Sequence, residues 1–541
     1  MSKIPSDVGF ASSRRGFLKR GLGLGIGGLV AGCGRTGAGV SLGPSAAGSN
    51  SPIDPTQPTN PPTDPTPPTN PPTNPPTDPP TNPPPDPPVL PNPQPVPPGS
   101  VAQVNATVTS NVAGSLDSTF TGLSFEKGEL VSRIFSLRDP NVLTLFKGLG
   151  PGIMRIGGSS VDAIIWTPNG AGRTGRQISR VDIDQFAPFA KATGWQVIYG
   201  INLAQNTEAA AAEEAAYAAQ ALGSSLYCFE LGNEPASYDI SGYSVPVGYS
   251  AWNYSTFKGR WTSLRNAILR SVANATFSGP DATVGSVNSY TLPFARDVDA
   301  SQVKVLAQHY YRMNDTDART MAMLLVTPDP KLGPLLTAVK GAADRLGAPF
   351  RITETNSATN GGVAGVSDVY GSALWSLDNI FTTALGGASG VHFHGGSAAK
   401  YSPFNFGSEK VTEIKPLYYG LLFSKMMGQG TLLSSTVDAG GLNLSVYAIK
   451  TSSGVSVLFV NKEVSQSFKV ALQLPASASA ATAIQLTAPG LTSTMGIEIQ
   501  GASISLSTGL GAMAPAYTLP VSSSGTTVYV PALTAVLVKA S

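Results

Sequence analysis

Between residues 119 and 427 the chain repeats one pattern, a short apolar run followed by a stretch of helical character. The runs are Thr121–Glu126, Ile153–Ile156, Val197–Asn202, Leu226–Gly232, Thr283–Val287, Val303–Tyr310, Phe350–Glu354 and Gly390–His394. They are near-continuous in apolar residues, as strands buried on both faces must be. Between them, Val142–Leu149, Asp182–Thr193, Thr207–Leu222, Tyr254–Val272, Leu332–Leu346 and Asp368–Ala384 read as helices, with Asp182 and Thr207 as expected N-caps. Strands that alternate with helices pair in parallel, and eight of them close a ring. The expected class is therefore α/β, a (β/α)8 TIM barrel over residues 119–427.

The flanks have other patterns. Over residues 428–541 the helical period disappears. Asn443–Lys450, Val455–Asn461, Phe468–Leu474, Thr482–Leu486 and Thr527–Ala540 alternate between apolar and polar residues, with Gly/Ser turns between them. An all-β sandwich is expected there. Val101–Val112, within residues 101–118, alternates in the same way and reads as a surface strand.

Residues 1–33 read as an export signal. Ser13-Arg14-Arg15-Gly16-Phe17-Leu18-Lys19 fits a twin-arginine pattern, Gly21–Val30 has the length of a signal core, and Leu29-Val30-Ala31-Gly32-Cys33 resembles a lipobox. Cys33 is the expected lipidation site, which predicts a bacterial lipoprotein in the periplasm or at the cell surface, anchored in the outer membrane. Residues 34–100 form a linker in which Pro-Thr-Asn-Pro-Pro and Pro-Thr-Asp-Pro recur over 51–98. This composition buries no core and favours extended polyproline II, at most ~150 Å long.

Charge narrows the function. With 35 Lys and Arg against 33 Asp and Glu, the net charge is +2, and no basic run marks a nucleic-acid surface. The two cysteines, Cys33 and Cys228, do not make a disulfide framework, because Cys228 sits inside an apolar run and is expected to be an inert buried thiol.

Two of the apolar runs end in carboxylates. Leu226-Tyr-Cys-Phe-Glu-Leu-Gly232 leads into Asn233-Glu234-Pro235, and Phe350-Arg-Ile-Thr353 leads into Glu354. Gly and Pro stop the first strand, which places Asn233 and Glu234 at its carboxyl end, where barrel enzymes keep their chemistry. Two strand-end carboxyls about 5–5.5 Å apart can cleave a glycosidic bond with retention, one as acid/base and one as nucleophile. Glu234 is the expected acid/base, Glu354 the expected nucleophile, and the Asn233 amide a partner for a sugar hydroxyl. Glu230 points to the same side as Glu234 by strand parity and is expected to pair with Arg155.

Gly232-Asn-Glu-Pro235, Gln308-His-Tyr-Tyr311, Arg155-Ile-Gly-Gly158, Ile352-Thr-Glu-Thr355 and Pro416-Leu-Tyr-Tyr-Gly420 together resemble glycoside hydrolase family 79, which holds heparanases and β-glucuronidases. The resemblance runs from about residue 103 to the C-terminus. It implies a barrel joined to a β-sandwich, with Val101–Val112 pairing into that sandwich. It also implies retaining chemistry on a glycan bearing β-linked glucuronate, which together with the N-terminal signal predicts an exported β-glucuronidase. By motif, Tyr310 matches a tyrosine beside the nucleophile, and Tyr401 resembles the tyrosine that holds the uronate carboxylate. Gly361 and Gly362 resemble backbone donors to that carboxylate, and Asp162 and Glu126 resemble groups that bind sugar hydroxyls. Thr359 and Asn360 depart from the heparanase pattern, which has tyrosine and glycine there.

The spacing of His309, His392 and His394 is not a metal-ligand motif, so no metal and no cofactor are expected. His392 and His394 share one strand face and are expected to line the pocket. Trp166, Trp195, Trp252, Trp261 and Trp375 read as core. Two other functions fit the same residues: a retaining glycosidase for a glucoside, xyloside or arabinofuranoside, and a non-catalytic polysaccharide-binding surface protein. Chain-end or internal cleavage depends on loops such as Ser241–Ser250 and Arg312–Pro330, and the sequence does not indicate the oligomeric state.

Overall fold

The computed structural model describes residues 92–238, 248–407 and 409–541. The export signal with Cys33, the Pro-rich linker up to residue 91 and most of Ser241–Ser250 lie outside the described residues.

The first strand, β1 (Val101–Leu116), is not part of the barrel. The barrel closes from β2 (Thr121–Glu126), β3 (Ile153–Gly157), β4 (Gln196–Ile201), β5 (Leu226–Leu231), β6 (Phe277–Ala282), β7 (Val303–Met313), β8 (Phe350–Ala358) and β9 (Val391–Gly395). Each pairs in parallel with its neighbour, and β9 closes the ring on β2 with Val391 opposite Thr121. Seven of the eight expected runs are barrel strands. The fifth is not: Thr283–Val287 begins a short helical segment, and the strand is Phe277–Ala282. Pro280 explains the misplacement. Its missing N–H argues against a central strand, so the run Phe-Ser-Gly-Pro-Asp-Ala reads as a loop.

The outer layer includes α1 (Pro140–Gly148), α2 (Arg180–Thr193), α3 (Glu208–Leu222), α4 (Tyr254–Ser271), α5 (Leu332–Leu346) and α6 (Tyr370–Leu385). Thr207 caps α3 by accepting the Ala210 N–H. Asp182 is not the cap of α2. Ser179 is, and Asp182 stands three residues inside it, accepting from the Ser179 N–H in a capping box. The five tryptophans are buried, Trp261 completely and Trp252 at 7% exposure, so none is an open sugar platform.

Beyond α7 (Pro416–Met426) the chain forms β10 (Gly430–Asp438), β11 (Leu444–Thr451), β12 (Gly454–Asn461), β13 (Ser467–Gln473), β14 (Ala481–Thr487), β15 (Gly525–Val530) and β16 (Thr534–Ala540). These strands belong to one hydrogen-bonded sheet, in the order β14-β16-β12-β11-β10-β1-β13-β15, rather than to two separate sheets. β1 lies between β10, antiparallel, and β13, parallel. One set of alternating residues from both ends of this order, including Val457, Phe459, Val536, Phe468, Val470 and Val528, meets in a separate core. The sheet therefore curls to enclose its own apolar face. The opposite set, Ile449, Leu458, Val460 and Leu537, joins the barrel's core. Because strand side chains alternate, one sheet fills two cores.

Candidate active site

Glu234 and Glu354 converge at one rim. One carboxylate oxygen of each and a ring nitrogen of His309 lie within 4.8 Å of one another. Glu234 directly follows the Gly232-Asn233 turn that ends β5. Its backbone is left-handed at φ +48°, and its side chain is 24% exposed. Glu354 lies within β8 and is 7% exposed.

Arg155 of β3 joins the groups behind this pair. It is fully buried. Its guanidinium donates to both Glu230 oxygens at 2.6 and 2.7 Å, to Glu354 Oε2 at 2.6 Å, to Asn233 Oδ1 at 2.7 Å and to Ser124 Oγ at 3.1 Å. The Glu230–Arg155 pair stands as expected, and the same arginine also holds the expected nucleophile. Because a guanidinium only donates, the Asn233 carbonyl oxygen faces Arg155 and the amide orientation is fixed.

The tyrosine beside Glu354 is Tyr311, whose hydroxyl donates to Oε1 at 2.8 Å. Tyr310, the motif-based expectation, is a correction: its hydroxyl donates to Asp329 at 2.5 Å. Side chains on a strand alternate, so His309 and Tyr311 face the barrel interior and Tyr310 faces the helices. His309 Nδ1 lies 2.9 Å from Glu234 Oε1. Period-two parity applied to His309-x-Tyr311 would have found both residues from the sequence.

A second correction concerns His392. It is completely buried, with Nε2 2.9 Å from Arg351 Nε, one barrel layer below the site. Burial and the neighbouring guanidinium hold it well below the usual histidine range. His394, two residues further along β9, is the one at the rim. It sits 2.9 Å from Ser124 Oγ, 3.5 Å from Glu126 and 3.7 Å from Glu354.

The remaining expected residues divide. Glu126 is at the rim, accepting the Ser159 and Ser160 N–H groups at 3.2 and 2.7 Å. Tyr401 is 5% exposed, with its ring 6.0 Å from that of Tyr311 and 6.1 Å from that of His394. Gly361 is tied to Tyr401's segment, its carbonyl accepting the Lys400 N–H at 2.6 Å. Gly362 has φ +85°, and an added Cβ would stand 2.8 Å from Ser367 and 3.1 Å from the Tyr401 ring, so only glycine fits. Its N–H is turned back on the Thr359 carbonyl at 3.3 Å, which withdraws it as an open donor for a carboxylate. Asp162 is also withdrawn. It accepts the Leu203, Ala204 and Asn233 N–H groups and the Tyr238 hydroxyl, so it shapes the turn that carries Asn233 instead of facing a ligand.

Electrostatics sets the charge of Glu354. Burial acts to raise the Glu354 pKa, but His394, His309, Arg155 and the Tyr311 hydroxyl outweigh it and hold the carboxyl well below the usual range. Glu354 is thus an ionised, desolvated carboxylate, suited to nucleophilic attack. His309 is buried, which disfavours its charge, yet Glu354, Asp281 and Glu234 push it up to about 10. Glu234, His309 and Glu354 are also the one group of metal-capable donors among the described residues. Arg155 and Tyr311 already occupy both Glu354 oxygens, so the donor set does not fit a cation well.

No family model matches the chain. A β-glucuronidase from Aspergillus niger is 25% identical over 359 residues, 59% of this chain and 66% of that protein. A β-glucuronidase from Neurospora crassa is 25% identical over 223 residues, and Gallus gallus heparanase is 23% identical over 423 residues, 77% of its length. The chain spans 66% and 39% of the lengths of the two β-glucuronidases. The heparanase and β-glucuronidase likeness anticipated from the motifs is therefore present in these relatives. Among solved structures, a 4-O-α-L-rhamnosyl-β-D-glucuronidase from Fusarium oxysporum covers 81% of this chain with TM-score 0.68 and 23% identity. An arabinofuranosidase from Xanthomonas axonopodis has TM-score 0.56 and 14% identity. These likenesses bear out the barrel and its added sheet.

Proposed function

We propose that the protein is a retaining glycoside hydrolase that removes β-linked glucuronic acid from glycans by double displacement. The observation that carries this reading is the approach of Glu234 and Glu354 oxygens to within 4.8 Å. That is near the roughly 5–5.5 Å of retaining pairs and short of the roughly 6.5–9.5 Å of inverting ones. In the first step Glu354 attacks the anomeric carbon while Glu234 gives a proton to the departing glycosidic oxygen. In the second, Glu234 takes a proton from water, which displaces the Glu354 ester and leaves the sugar with its original configuration. The ionised state of Glu354 and the partial exposure of Glu234 suit these two roles.

The glucuronate preference draws on the named relatives and on Tyr401, whose ring lies beside those of Tyr311 and His394 and whose segment is tied to Gly361. Arg14-Arg15 and the Leu29–Cys33 segment support export and lipid anchoring of the same chain. Hydrolysis of nitrophenyl glycosides tests the substrate, and NMR of the first-formed anomer tests retention. Turnover of the glucoside, xyloside or arabinofuranoside with none of the glucuronide overturns the sugar assignment. Glycan binding without turnover of any glycoside overturns the enzyme assignment.

A further inference from the structure

Asp281, at the end of β6, touches the supports of both glutamates. It is 1% exposed. Its Oδ1 accepts the hydroxyl of Thr353, the residue before Glu354, at 2.7 Å, and lies 3.6 Å from His309 Nε2 and 3.9 Å from Arg155 Nε. Its backbone carbonyl accepts the Glu234 N–H at 3.0 Å. Asp281 and Glu234 are both left-handed, at φ +53° and +48°. Such a conformation is costly for a residue other than glycine and persists only where its surroundings hold it. Here the two neighbouring strand ends hold each other.

His309 lies between these acids. Nδ1 bonds to Glu234, while the buried Nε2 has no hydrogen-bond partner and faces Asp281. A ring protonated on Nδ1 alone would turn a lone pair toward the Asp281 carboxylate. A ring protonated on both nitrogens offers an N–H to each acid. The charged groups acting on the ring are Glu234 and Glu230 from β5 and its turn, Asp281 from β6 and Glu354 from β8, opposed by Arg155 from β3.

We propose that Asp281 is a positioning residue that keeps His309 doubly protonated and aimed at Glu234. The inference rests on the proposed role of Glu234. Asp281→Asn keeps the shape and the acceptor for Thr353 but removes the charge. Loss of a facing negative charge makes the second ring proton easier to lose, so the pH at which His309 gives it up, read from ring 15N shifts, should move down by about one unit. Thr353→Val, which removes the hydrogen bond but not the charge, should leave that pH in place. A folded, active Asp281→Asn with an unmoved ring titration overturns the proposal. Ring 15N shifts of wild-type His309 test it without any variant: two protonated nitrogens at pH 8 are expected, and a neutral ring overturns it. A wild type inactive on every glycoside would instead remove the proposed function, while the histidine spectrum would still report on the Asp281–His309 contact.

Discussion

Replacing each of two adjacent tyrosines with phenylalanine separates the geometry of β7 from its motif. Tyr311→Phe removes one hydroxyl bond to the Glu354 carboxylate, 2.8 Å long. A hydrogen bond to a charged group contributes about 1.5–3 kcal/mol. In the second displacement Glu354 leaves the sugar and its charge returns, so this bond strengthens toward the transition state and its loss slows that step. Only part of the charge has returned there, so the lower half of the range is expected, a fall in kcat of roughly tenfold where that step limits. The pH dependence has a definite sign. Tyr311 helps hold the Glu354 pKa down, so its loss raises that pKa and moves the acid limb of the profile to higher pH. Arg155, His309 and His394 still keep the carboxyl ionised near neutrality. Tyr310→Phe removes a bond to Asp329 at 2.5 Å and leaves that aspartate the Lys331 and Leu332 N–H groups at 2.9 and 3.3 Å. It should lower stability by about 1–3 kcal/mol with little change in kcat. Kinetics on nitrophenyl glucuronide and thermal melts of both variants decide the matter. A silent Tyr311→Phe beside an inactive, fully stable Tyr310→Phe would refute the assignment.

Other outcomes follow from the same geometry. Glu354→Ala should abolish turnover, and azide should restore some with inverted product; unchanged activity would remove Glu354 from its role. Arg155→Met strands the buried Glu230 carboxylate and should destabilise the fold by about 3–5 kcal/mol, read by chemical denaturation. Burial pushes the Cys228 thiol up, so the native protein should resist thiol reagents at pH 8 and react only when unfolded.

The barrel was legible because strand and helix runs alternate over its whole length, and the two glutamates because each closes an apolar run. β6 was not, since Pro280 and Gly279 disguise a central strand as a loop. At Tyr310 the residue type was right but the position was wrong, and of the two histidines expected to line the pocket only His394 does. Choosing Tyr311 requires strand parity, and setting His392 aside requires depth within the barrel, which residue identity alone does not give. Asp162 resembles a sugar ligand by motif alone, through its place after Gly157-Gly158-Ser-Ser-Val. Only the four donors that surround it reveal its structural use. Asp281 carried no motif at all, because its contacts come from three other strands.

The place of β1 between β10 and β13 also bears on how the chain reaches its final form. Leu116 pairs with Gly430, and Val101 with Ser467. A ribosome must therefore deliver the entire barrel before the opening strand of the globular region finds either neighbour. Until then its backbone donors and acceptors stay open to water or to another chain. Cutting the gene at the barrel's edges would leave that gap permanently unfilled in the sheet.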